Sequence, residues 1–215
     1  MSRLLFSLKG VDVMSLSEAK MYGSIGAILA LVGRFVGFFV LYLGPILFLI
    51  GIVLVILAVS KISKEANDKK IFSNYLINII LNVVIVVVVV VIAAMTILNQ
   101  LPDLENIGEM EQEEILDVIA PLIAPLLIIF IISYVGSVIA AYFLKKSYEG
   151  IKERTGVDMF GTVGWMYLIG ALLTIILVGV LILFIARIME IVAYFSLPDE
   201  LPEKKVDAQV GEPLV

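Results

Sequence analysis

The chain has 215 residues, 61% of them hydrophobic and 16% charged, with a net charge of −5. That composition belongs to polytopic membrane proteins rather than to globular domains, and a mildly acidic balance with its charges segregated by loop argues against nucleic acid as a partner. The absence of cysteine and histidine excludes disulfides, thiolate or imidazole metal sites, and every nucleophile–histidine arrangement.

Residues 1–14, with Leu4, Leu5, Phe6 and Leu8 beside Arg3 and Lys9, read either as an amphipathic segment on the membrane surface or as a frayed terminus. The first twenty residues lack a long apolar core, so no cleavable signal peptide is expected and the first span serves as the insertion signal. Ser15 and Glu18 have capping-box spacing, which predicts a helix over 16–43. Gly44-Pro45 breaks it, and a second span follows over 45–60. The interval from Met21 to Ser60 carries one charge, Arg34, and as a helix it would be roughly 60 Å long, too much for one crossing. The third span, 71–98, contains no charged side chain and includes the run Val83-Val84-Ile85-Val86-Val87-Val88-Val89-Val90-Val91-Ile92. It would rise roughly 42 Å against a hydrocarbon core of ~30 Å. In lipid such a β-branched run is compelled to be helical, because only a helix satisfies its own backbone there.

Between Asn99 and Asp117 there are seven acidic residues and no lysine or arginine, read as a loop. A fourth span covers 118–144, with Pro121 and Pro125 in its first turns, where few internal hydrogen bonds are lost. A basic loop, 145–158, ends at Asp158 as N-cap. The fifth span covers 159–186 and continues as helix past Arg187 and Glu190 to 196, until Pro198 stops it. Residues 197–215 form a polar, extended tail.

Lysines and arginines number three among the first twenty residues, four in 61–70 and four in 145–158, while the 43–45 connection and the acidic loop have none. The positive-inside rule then gives an all-α integral membrane protein of about five transmembrane helices, with the N-terminus cytoplasmic and the C-terminus outside. Treating 21–60 as a single span would put the basic N-terminus opposite both basic loops. KISKEANDKKIF leads into the third span and YEGIKERTGVDMF into the fifth, with Phe72 and Phe160 in like positions, an internal similarity that suggests tandem hairpins.

LSEAKMYGSIGAILALVG, GPILFLIGIVLVILAVSKIS, IFSNYLINIIL, GALLTIILVG and the closing AYFSLP together resemble a family of small archaeal multi-helix membrane proteins catalogued as a domain of unknown function. The resemblance covers roughly 15–198. It implies an archaeal plasma membrane and a multi-helix fold, and it carries over no catalytic residue.

Asn74, Asn78 and Asn82 recur every four residues, within roughly an 80° arc of the third helix. Such a face either lines a hydrated path or bonds neighbouring helices, and the second use is the commoner. Arg34 reads as an anion site or as a side chain snorkelling to the outer headgroups. Arg187 and Glu190, three apart, are expected at the outer boundary as a local pair, and an Arg34–Glu190 contact would tie the first helix to the fifth. Small residues (Gly33 and Gly37; Gly44, Gly51 and Ala58; Ser133, Ser137 and Ala141; Gly170 and Thr174) mark faces where helices approach closely. With no HExxH, no aspartate pair inside a span and no phosphate-cradling glycine loop, no enzyme, cofactor or metal is expected. The role expected is structural: a multi-pass scaffold, accessory or assembly protein of the plasma membrane. Its partners would be the bilayer and either further copies or another membrane protein, met through the small-residue faces, the acidic loop or the tail. The rival is a small transporter or channel with its path along Asn74, Asn78 and Asn82.

Overall fold

Six α-helices make up most of the chain that the computed structural model describes, residues 16–105 and 112–202. They are α1 (Leu16–Phe39), α2 (Leu43–Glu65), α3 (Lys69–Glu105), α4 (Gln112–Thr155), α5 (Asp158–Leu172) and α6 (Val178–Phe195), with a 3-10 turn at Leu173–Ile176 joining the last two. No strand occurs among the described residues, and all six helices are long and apolar enough to cross a membrane. Each helix packs on its sequence neighbours, and α6 packs back on α1, so the order around the bundle is the chain order, closed into a ring.

The single helix expected over 159–196 is two antiparallel helices. Leu177 takes a left-handed conformation (φ 59°) and its N–H bonds Thr174 O at 3.2 Å. Thr174 Oγ1 donates to Gly170 O at 2.8 Å. Gly179 lies directly against Gly170 O and the Thr174 amide, where a Cβ has no room. GALLTIILVG has no proline and no charge to announce a turn. The hairpin rests instead on the close approach that Gly170 and Gly179 permit. With this extra reversal the described ends meet: Leu16 and Leu197 share one buried cluster with Ile62, Ile71, Ile151 and Phe160. With six helices rather than five, the two described ends therefore lie at the same end of the bundle.

Other boundaries move less. The first reversal lies at Val40–Tyr42, and α2 begins at Leu43 with Pro45 inside its first turn, where a missing N–H costs nothing. The stretch expected as an acidic loop over 99–117 is helical through Glu105 and again from Gln112, so Pro121 and Pro125 lie inside α4. The expected N-terminal segment, Ser15 and residues 203–215 of the tail lie outside the described residues.

The α1–α2 pair is built on the predicted small residues. A Cβ on Gly33 would come within 2.5 Å of Phe48 N and 2.8 Å of Gly44 O, and Gly51 sits equally tightly on Gly26 O and Ala30 N. Backbones this close gain dispersion contacts that larger side chains would prevent. The two basic loops are alike, as their sequences suggested: each turns through one left-handed residue, Asn67 (φ 47°) and Gly156 (φ 73°). They lie side by side, with Arg154 Nη2 on Asp68 Oδ2 at 2.9 Å. Phe160 is buried in the core and Phe72 packs against it.

Candidate functional site

The three asparagines do not converge. Asn78 is buried, and its Nδ2 donates to Ala140 O of α4 at 2.8 Å. Asn82 is exposed and donates to Asn78 O of its own helix at 2.8 Å. Asn74 is half-buried at the lip of a groove between α3 and α4. Ser147 Oγ donates to Ile71 O at 2.8 Å, so two bonds from opposite helices fix the register of α3 on α4.

The polar centre of the molecule lies elsewhere. Glu190, on α6, is 0% exposed. Its Oε1 accepts from Tyr148 Oη of α4 at 2.7 Å, and its Oε2 accepts from Tyr167 Oη of α5 at 2.5 Å and from Arg187 Nη1 at 2.6 Å. Arg187 Nη1 also lies 3.4 Å from Tyr167 Oη. Aromatic rings wall the site: Tyr75 stacks on Tyr148 with centroids 6.5 Å apart, and Phe160 meets Tyr148 and Tyr194 edge-on at 5.5 and 5.1 Å. Both oxygens of the carboxylate thus have donors, two phenol hydroxyls and a guanidinium from three helices. Two buried polar atoms, Arg187 Nε and Tyr194 Oη, have no partner among the described residues.

Arg187 and Glu190 do form the expected local pair. Because α6 runs back toward the charged loops, Glu190 stands five residues before Phe195, or roughly 8 Å from the end of the helix at the level of those loops. Arg34 makes no ion pair with Glu190 among the described residues. It lies near the end of α1, with its guanidinium 5.1 Å from the centre of the Phe48 ring, and α1 meets α6 instead through Phe35 on Phe184 at 5.8 Å. The tyrosines escaped the sequence reading. Tyr148 and Tyr167 stand out only as hydroxyls among apolar neighbours, and linking them to Glu190 requires the α5–α6 hairpin.

At the charged end three lysines lie over aromatic rings: Lys61 over Tyr22 at 5.0 Å, Lys145 over Trp165 at 4.0 Å and Lys146 over Tyr142 at 4.7 Å. Lys61 also pairs with Glu18, and Lys145 pairs with Glu149 at 2.8 Å. Asp158 opens α5 without capping it through its side chain and pairs with Lys152 at 2.9 Å. No group of three or more carboxylates is placed to hold a metal ion among the described residues.

Residues 47–188 match the model of a family described as a protein of unknown function, DUF996. The chain is also similar to the uncharacterized protein MJ1644 of Methanocaldococcus jannaschii, with 40% identity over 190 residues that span 87% of this chain and 96% of that protein. No solved structure matches. The match covers most of α2, all of α3, α4 and α5, and α6 as far as Ile188, and on that extent this chain belongs to the DUF996 family.

Proposed function

We propose that this chain is an integral protein of the archaeal plasma membrane with six crossings, and that its role is structural: a scaffold or accessory protein acting through helix packing and partner binding, without catalysis of its own. The three lysine–aromatic pairs support the placement, since amphipathic rings and snorkelling ammonium groups favour the level of the headgroups. The basic loops 61–70 and 145–158 lie at that end, so the positive-inside rule makes it cytoplasmic, and both Leu16 and Leu197 with it.

One observation carries the structural reading: two buried polar side chains, Asn78 and Glu190, are spent on joining helices. Asn78 ties α3 to α4, and Glu190 ties α4 and α5 to α6. The test exploits the lack of native cysteine. Single cysteines at Asn78 and Asn82 are labelled with a membrane-impermeant thiol reagent in oriented vesicles, with Val88 as the lipid-facing control and Lys64 as the exposed one. Protection of both positions at the Val88 level is the expected result. Labelling of Asn82 at the Lys64 rate would mean that water reaches mid-membrane, and would replace the scaffold with the transporter.

A further inference from the structure

We infer that the groove between the start of α3 and the end of α4 is a phosphate-binding site, taking either the headgroup of an anionic lipid or free phosphate. The groove is a cavity of about 510 Å³ whose walls include Lys70, Ser73 and Asn74 from α3 and Lys146, Glu149 and Glu153 from α4. Gly150 forms part of its wall and allows the helices to close up, since a Cβ there would fall 2.8 Å from Ile71 Cγ1.

The argument rests on which charges are already used. Asp68 is occupied by Arg154, at 3.2 Å to Nε and 2.9 Å to Nη2, and by the Lys70 amide at 3.1 Å. Glu149 is occupied by Lys145 at 2.8 Å. Neither Lys70 nor Lys146 has a carboxylate within ion-pair distance among the described residues, and the side chains of Ser73 and Asn74 have no hydrogen-bond partner there. Lys70, Ser73, Asn74 and Lys146 thus line one groove from both helices, two ammonium groups outside any ion pair beside a hydroxyl and an amide, a donor set suited to the several oxygens of a phosphate. Glu153 is the one acid without a pairing. It sits seven residues beyond Lys146, roughly 10 Å along the axis, which confines the anion to the Asn74–Lys146 end. That end is also the level of Tyr142, whose ring Lys146 covers. If the membrane reading holds, this is where headgroup phosphates lie; the lipid source rests on that reading, and the phosphate chemistry does not.

The experiment titrates the purified full-length protein in neutral detergent and follows Trp165 fluorescence and the thermal midpoint. Three probes are compared: dihexanoyl phosphatidylglycerol below its micelle concentration, dihexanoyl phosphatidylcholine, and sodium phosphate at matched ionic strength. Phosphatidylglycerol is expected to bind in preference to phosphatidylcholine, and Lys70→Gln with Lys146→Gln to weaken it about thirtyfold, the value of two lysines near a headgroup. Lys20→Gln with Lys64→Gln removes the same charge outside the groove and should cost about threefold or less. An unchanged melting midpoint without ligand shows that the variants fold, and Lys70→Arg with Lys146→Arg should restore binding. Variant-sensitive binding of sodium phosphate alone assigns the site to the free ion. Equal losses in both double variants, or no preference among the three probes, overturn the proposal. Flotation with phosphatidylcholine vesicles tests the membrane reading separately.

Discussion

The two halves of α3 are one continuous helix in two different settings. From Ile71 to Asn78 the buried positions are Ile71, Tyr75 and Asn78, spaced by three and four, and they meet the centre of the bundle and the α4 backbone. From Val83 to Leu98 no residue is buried, and Val83, Val84, Val86, Val87, Val90, Val91, Met95 and Leu98 are each at least half exposed. The comparison teaches that hydrophobicity and packing are separable here. The most apolar stretch of the chain contributes least to the core, and the lower, more polar stretch sets where α3 sits. In the membrane proposed above, apolar side chains would gain nothing by leaving lipid for protein, so polar bonds and close-fitting shapes would decide the contacts.

Breaking the polar centre should have the largest effect. Glu190→Ala leaves Arg187 buried without its partner and should destabilise the detergent-solubilised protein by about 3–5 kcal/mol in a denaturation titration, while Glu190→Leu combined with Arg187→Met should recover most of that loss. Recovery that failed would show that the tyrosine hydroxyls, and not the pair, hold the site. Next comes the lower half of α3: Ile71→Ala opens a cavity at the core and should cost about 2–5 kcal/mol by thermal or denaturant unfolding. Asn78→Leu removes one interhelical bond and should cost ~0.6–2 kcal/mol, whereas Asn82→Leu, which loses only a bond to its own helix, should be close to neutral. Smallest of all, Val87→Ala in the upper half should change stability by about 0.5 kcal/mol or less, and a larger loss would mean that this face is covered by protein in the measured state.

What the sequence made legible follows from which forces act locally. The helices up to 144 could be read because length and apolarity are local properties, and the glycines of α1 and α2 could be named because close approach leaves a periodic trace. The Arg187–Glu190 pair was readable for the same reason, being three residues apart on one helix. The reversal at Leu177 was not. It is set by Gly179 meeting Gly170, a contact between two helices, inside a run whose composition is uniformly apolar. What depends on that turn was hidden with it: the end of the bundle near which Glu190 lies, and the tyrosines that reach its carboxylate from α4 and α5. Asn78 showed the converse, since its spacing pointed to a polar face and only the position of Ala140 decided what that face does.

The pairing of Arg187 with Glu190 inside one helix bears on how such a bundle is made. Charges on separate helices would each have to enter an apolar medium alone and find one another afterwards. Here cation and anion leave the ribosome three residues apart, so one turn of helix brings them into register before any tertiary contact exists. Since α6 is also the element that closes the ring against α1, the ring-closing helix arrives already neutralised. The tyrosines of α4 and α5, made earlier, are waiting as the receptors that fix its final depth.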